Sequence, residues 1–385
     1  MRSQLSLSDE DQSEHPKTAA WWWRTLPEFD DNGQFKEDIS AAAGGLSPRL
    51  KLLREMQRLA FISMEGLDLL RHKLTSYKAG DLWVPVGGIK KTDMDIPPVI
   101  TLLLVGLAGA GKSSLVNFMY SVLGRSGLIP FAQTSSQSTK FTTMLLEEHN
   151  VLRSMKSGFC VYDTRGLDCD KMDEGMEDVW SWMSDGVRHN QPCCRASDDR
   201  GIGEYGEMME SIGRCANKYC KRRVNCVMVV ADMEEASKDF SSGDLKHVEA
   251  INMIFHSPSI RRSNENPILI LTHGDMLTAE ERVETRLKLC ESLGISETTG
   301  AYDVACLSES GILPEEGDPV SAFALTEAVY RSLLQSDRTH LPKRKFKDWV
   351  LAFASWVLCI LSSFFAMLAN FFSRFGDKKR RLKIS

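Results

Sequence analysis

The sequence has no Cys-x-x-Cys pair, no internal repeat and no excess of positive charge over residues 1–342. Without paired knuckles, Cys193, Cys194, Cys215 and Cys220, with His189 nearby, lack the spacing of a structural zinc site. The formal charge is −5, but residues 343–385 hold ten Lys or Arg against Asp348 and Asp377, a net +8, which leaves −13 on residues 1–342. A body of that sign is not that of a general nucleic-acid binder, and the basic character sits at the C-terminus. No secretory leader is read ahead of the ten cysteines, and Cys160, Cys226, Cys306 and Cys359 stand in apolar segments, so a reducing compartment is expected.

What is present is 385 residues, 43% of them hydrophobic, enough for one large α/β domain with extensions. Residues 1–45 are polar apart from Trp21, Trp22 and Trp23 and are expected to be largely disordered, the triplet either docking on a partner or membrane or packing back onto the domain. Ser47 reads as an N-cap with Pro48 at the first helical position. Leu50, Leu53, Met56, Leu59, Ala60, Met64, Leu67 and Leu70 then recur at helical spacing, which predicts an amphipathic arm within residues 46–80. Residues 95–340 alternate strand patterns (100–105, 142–146, 158–163, 224–231, 267–271, 302–307) with helical ones (around 242–256, 278–293 and 320–335). That alternation predicts an α/β fold with a mainly parallel sheet covered on both faces. An insertion at 184–223, with a helix near 205–219, interrupts it.

The chemistry begins where strand 100–105 breaks into Gly106-Leu-Ala-Gly109-Ala110-Gly111-Lys112-Ser113 and helical spacing resumes from Ser114. Glycines let backbone N–H groups turn inward around a polyphosphate, the following helix points its positive end at the same anion, and Lys112 adds a full charge. Ser113 is placed to hold Mg2+. A later apolar strand ends in Asp163-Thr164-Arg165-Gly166, where Asp163 binds the metal through water and the Gly166 N–H meets the γ-phosphate. The threonine that closes over metal and γ-phosphate lies between these elements. Thr139, Thr142 and Thr143 qualify by position, and Thr139 is favoured because the other two belong to the apparent strand. Lys112, Thr139 and Gly166 are therefore the expected catalytic residues, and Ser113, Thr139 and Asp163 the metal ligands.

A further strand runs into Thr272-His273-Gly274-Asp275. This resembles the Asn/Thr-Lys-x-Asp element that reads guanine, and the resemblance implies that Asp275 accepts from the base N1–H and its exocyclic amine, two donors adenine cannot offer together; otherwise Asp275 caps a helix ahead of Thr278. His273 stands where a lysine stem ordinarily lies over the base. The last expected element, a backbone N–H loop, falls on Cys306-Leu307-Ser308-Glu309.

Residues 349–372 carry no charge and only Ser355, Ser362, Ser363 and Asn370 as polar side chains; about 20 apolar residues suffice to cross a hydrocarbon core. Basic residues flank the run on both sides, which predicts a C-terminal transmembrane helix within 341–385, with a buried or interfacial helix as the alternatives. A single-pass protein with a cytosolic nucleotide domain is expected, at a mitochondrial, plastid or peroxisomal outer membrane rather than the endoplasmic reticulum.

Together, GLAGAGKS, DTRG and THGD resemble the P-loop GTPases of the translation-factor-related class, and over about residues 95–335 the chain most resembles the interferon-induced protein 44 group of GTPase-like proteins. The anchor resembles those of tail-anchored GTPases of organelle outer membranes and, more loosely, of the immunity-associated nucleotide-binding proteins. The resemblance implies a Ras-like G domain binding GTP or GDP with Mg2+. One departure bears on mechanism: Leu167, followed by Asp168, replaces the glutamine that orients water in small signalling GTPases. Hydrolysis is expected to be slow unless a homodimer, an activating protein or a charge donor such as Arg165 or Arg125 assists. The expected function is a membrane-anchored guanine-nucleotide switch; the alternative is a nucleotide-stabilised membrane scaffold without significant hydrolysis.

Overall fold

The computed structural model describes residues 21–36, 45–85, 88–124, 132, 143–152, 158–193, 215–261, 265–305, 318–343 and 346–381. The chain divides into two compact units, Met1–Trp83 with Pro97–Thr339, and Val84–Ile96 with His340–Ser385.

The first unit is built on a seven-stranded sheet. In chain order its strands are β1 (Ile100–Gly106), β2 (Leu145–His149), β3 (Phe159–Asp163), β4 (Gln191–Pro192), β5 (Cys226–Asp232), β6 (Ile268–Thr272) and β7 (Ala301–Asp303). They lie in the order β4-β2-β3-β1-β5-β6-β7. From β3 to β7 every pairing is parallel, whereas β2 runs antiparallel to both β3 and β4. Strand side chains alternate between faces. Ile100, Leu102 and Leu104 therefore join one core with Val161, Met228, Val230 and Ile270, while Leu103 and Val105 join the other with Tyr162, Val227, Val229 and Leu271.

Helices α1 (Pro48–Ser76), α2 (Lys112–Val122) and α7 (Pro319–Arg338) cover the first face. Helices α3 (Met172–Asp185), α4 (Met233–Ser242), α5 (Lys246–Phe255) and α6 (Ala279–Ser292) contribute to the second. This mainly parallel α/β sheet, with a glycine-rich loop between β1 and α2, fits a P-loop NTPase fold. The arm predicted at 46–80 is α1, started by Ser47 accepting from Leu50 N at 3.3 Å. It packs on α7. Buried Asp337 of α7 accepts from Tyr77 Oη–H at 3.0 Å and from the N–H groups of Gly80 and Leu82 at 2.9 Å each, which fastens the chain after α1.

Several expectations are corrected. Residues 21–36, part of the stretch expected to be largely disordered, fold, and the tryptophan triplet packs back onto the domain, one of the two readings given for it: Trp22–Thr25 form a 3-10 turn, and Trp23, only 1% exposed, packs with Leu52, Leu53 and Met56 of α1 and Val283 of α6. Indoles bury enough apolar area to outweigh polar neighbours in sequence. The helix expected around 242–256 is α5, which begins only at Lys246 because Gly243 in the left-handed region (φ 81°) ends the preceding helix, α4. The strand expected over 142–146 forms three residues later, as β2 (Leu145–His149). The sequence reading missed α3 and α4 altogether. Most of the helix expected near 205–219 lies outside the described residues, as do Cys194, Arg125 and the loop Cys306–Glu309.

In the second unit, Asp95 N–H donates to Leu341 O at 2.8 Å and Lys343 N–H to Asp93 O at 2.7 Å. Helix α8 (Phe346–Arg381) follows. Among the described residues no helix is long and apolar enough to cross a membrane, so the transmembrane helix expected within 341–385 is not shown. The described side chains of α8 include Leu351, Phe353, Trp356, Leu358, Phe365 and Met367, all exposed.

Candidate nucleotide site

The glycine-rich loop leaves β1 at Gly106, where a Cβ would lie 2.2 Å from Val230 O, so only glycine lets β1 approach β5 here. Gly109 and Gly111 take φ of 84° and 79°. Gly111 is also the N-cap of α2 and puts no side chain on that helix's first-turn N–H groups. Ala110 and Ser114 complete the loop's entry into α2. Lys112 is 6% exposed and turns back over the loop, donating from Nζ to Gly106 O at 3.1 Å and Leu107 O at 2.9 Å. Burial pushes its ammonium down to about 8 against the pull of Asp163. An anion in the loop would relieve that penalty.

Asp163 ends β3 beside this loop. Its Oδ2 accepts from Ser113 Oγ at 2.5 Å, while Oδ1 is buried with no hydrogen-bond partner among the described residues. Burial raises its carboxyl pKa, opposed by the Ser113 hydrogen bond and the charge of Lys112. A buried, orphaned carboxylate oxygen next to a serine hydroxyl fits a hydrated Mg2+, a hard cation that keeps several waters. Thr139 and Thr142 lie outside the described residues; Thr143 Oγ1 is 3.4 Å from Ser113 Oγ.

Gly166 packs directly on the loop, since a Cβ there would lie 2.5 Å from Ala108 Cα. Leu167 is locked to the same loop: its N–H donates to Gly106 O at 3.0 Å and its O accepts from Ala108 N–H at 2.8 Å. Its side chain is 1% exposed, in the core with Leu107. Arg165 is not positioned to reach into another molecule: it is buried and donates to Cys193 O at 3.2 Å.

At the other end, the fully buried Thr272 places its hydroxyl 3.0 Å from Ala110 O and 3.1 Å from Ala231 O, tying β6 to the phosphate loop. His273 takes the left-handed region at φ 55°, rare for a residue with a side chain, and its Nδ1 is 2.7 Å from Asp232 Oδ2. Asp232 Oδ1 meanwhile caps α4, accepting from Glu234 N–H at 2.9 Å and Glu235 N–H at 3.3 Å. The hydrogen bond to Asp232 raises the His273 pKa. Burial acts to raise that of Asp232, but the bond from His273 and the cap outweigh it and hold the carboxyl low.

Asp275 is exposed in the 3-10 turn Gly274–Met276. It is not the cap of α6, because Thr278 and Glu281 form a capping box there. Sequence reasoning missed the support behind this turn. Arg282 donates to both oxygens of Asp303 at 2.9 and 2.7 Å, lies 4.1 Å from the Trp22 ring, and sits so close to Gly274 that a Cβ there would be 2.6 Å from its Nε. The one available signal was Asp232 itself, an aspartate between an apolar strand and Met-Glu-Glu, which reads as an N-cap.

No family model and no curated protein matches the sequence. Among solved structures the chain is similar to Era in complex with MgGDPNP and nucleotides 1506-1542 of 16S ribosomal RNA, at 13% identity and a TM-score of 0.29, covering 64% of this chain and 59% of the length of that one.

Proposed function

We propose that the chain is a guanine-nucleotide-binding protein with a Ras-like G domain that holds GDP or GTP with Mg2+ and hydrolyses GTP slowly. The observation that carries this reading is the meeting of three separate segments at the carboxyl ends of parallel strands: the loop after β1, Asp163 ending β3 and Thr272–Asp275 ending β6. Open α/β sheets bind ligands at that edge. In this reading the loop N–H groups from Gly109 to Ser114 and the Lys112 ammonium hold the phosphates, and Asp275 reads the base. Ser113 and Asp163, with Thr139 as the proposed switch threonine, hold the Mg2+, which supplies charge neutralisation at the β- and γ-phosphates. Displacement of a fluorescent GDP from the full chain by GDP, GTP, ADP and ATP tests the proposal. Guanine nucleotides alone are expected to compete, and equal competition by ADP would overturn it.

Slow hydrolysis follows from Leu167, which brings no polar group to a water and whose backbone is held against Gly106 and Ala108. A homodimer or an activating protein would supply the missing group. The same lock favours a second reading, a nucleotide-stabilised scaffold without significant hydrolysis. Single-turnover assays separate them: the switch hydrolyses GTP at roughly 10⁻⁴ to 10⁻³ per second or below when dilute, faster when self-associated, and the scaffold not at all.

Membrane attachment through residues 349–372, at an organelle outer membrane with the nucleotide domain in the cytosol, belongs to the same proposal. Its support is the uncharged run and the exposure of large apolar side chains along α8, which water does not favour. After alkaline carbonate extraction the full chain is expected to stay with membranes and a chain lacking residues 345–385 to be released; retention of the shortened chain would contradict it.

A further inference from the structure

We infer that the Asp232–His273 pair sets nucleotide affinity in this site, His273 presenting an imidazolium to the face of the purine and Asp232 acting as the positioning residue that holds it there. The inference rests on the guanine-nucleotide reading and adds to it a base-stacking cation under the control of pH.

The geometry carries it. His273 stands between Thr272, which is tied to the phosphate loop, and the turn Gly274–Met276 that carries Asp275. Its side chain is 32% exposed while that of Asp232 is 10% exposed, so the pair has one buried end and one open end. The 2.7 Å contact engages Nδ1 and fixes the ring, and the left-handed backbone at φ 55° is uncommon for a residue with a Cβ. A carboxylate acceptor on Nδ1 lets both ring nitrogens carry protons, and a cation over an aromatic face is attracted by the ring's quadrupole.

The charged groups acting on His273 have one sign: Asp232 from the end of β5, Asp275 from the turn that follows, and Glu234 from α4. The carboxylates of Asp232, Asp239 and Glu235 also act on His247 of α5, but burial outweighs them and holds that imidazole towards its neutral form. The imidazolium of His273 is thus favoured above the ordinary imidazole range. A group with a raised pKa contributes its charge in full below the ordinary value near 6.5 and loses it as pH rises through the raised one. Nucleotide affinity follows the same sign, strong in mild acid and weaker in base.

Lys112 titrates in the same range, so the informative quantity is the difference between variants. GDP affinity of the full chain is measured from pH 6 to 9 for wild type, His273→Lys, His273→Gln and Asp232→Asn. Asparagine keeps an oxygen to cap α4 but turns an amide donor towards Nδ1, which favours the neutral ring. Relative to His273→Lys, whose cation persists across this range, wild type is expected to lose about fivefold in affinity as pH rises. Asp232→Asn is expected to be weak already at low pH, to resemble His273→Gln, and to keep its melting temperature close to that of wild type. Parallel profiles for wild type and His273→Lys, with GDP still bound tightly, would overturn this inference and leave the nucleotide reading standing. Absence of GDP binding at every pH would overturn both.

Discussion

The two ends of the candidate site are made differently. At the phosphate end the working groups come mainly from one continuous stretch, Gly106 to Ser114, joined by Asp163, Gly166 and the proposed switch threonine Thr139. At the base end, Thr272 to Asp275 are positioned by Asp232 from another strand, by Arg282 from α6, by Asp303 from β7, and through Arg282 by Trp22 from the N-terminal segment. A phosphate can be held by a short loop because backbone N–H groups and one ammonium suffice. A base needs a shaped slot, and a shaped slot needs walls from several segments. The phosphate end should therefore fail completely when one residue is lost, and the base end by degrees.

The largest effect is expected from Lys112→Ala. It removes a buried ammonium that two carbonyls already orient, and each charge-assisted bond it would make to phosphate is worth roughly 1.5–3 kcal/mol. GDP and GTP affinity should fall more than about 100-fold by calorimetry, and a folded variant with unchanged affinity would break the comparison at its strong end. Asp275→Asn comes next, and here selectivity should move more than affinity. Preference should swing from guanine towards xanthine nucleotides by about 2–4 kcal/mol, the cost of orphaned buried donors.

Leu167→Gln sharpens the contrast from the other side. Restoring a glutamine by sequence should not restore fast hydrolysis, because the side chain at this position is 1% exposed and its backbone is paired with the loop. Burying the amide should lower stability by about 1–3 kcal/mol in denaturant titration. A variant that is as stable as wild type and hydrolyses GTP faster would show that residue 167 swings free. The smallest effect is expected from Trp22→Ala, which removes the ring beside Arg282 and loosens the base turn by about 0.5–1 kcal/mol. Affinity for GDP should drop a few-fold while affinity for pyrophosphate stays the same; equal losses for both would place the effect in general stability.

The same division explains what the sequence made legible. GLAGAGKS, the Asp163 turn and the Thr272–Asp275 turn are local patterns whose residues need one another at fixed spacing, and they could be read without a fold. The supports could not: Arg282 and Asp303 look like ordinary surface charges until β7 and α6 bring them within 2.7 Å. Trp22 sits in a polar stretch whose composition suggested disorder, and its partners lie far along the chain. Helix α4 was hidden because β5 runs into it without a loop, Asp232 being both the last residue of the strand and the helix cap. The apolar run at 349–372 gave a helix, but length and composition alone do not say what covers it.

The central claim is that these segments form one guanine-nucleotide site, and calorimetric titration of the full chain with GDP and with ADP, with Mg2+ and with the metal chelated, tests it most directly. The account predicts one GDP bound per chain, tighter with Mg2+ because buried Asp163 Oδ1 and Ser113 await the ion, and no heat with ADP. Equal affinity for both nucleotides, or GDP binding that Lys112→Ala leaves intact, would contradict it.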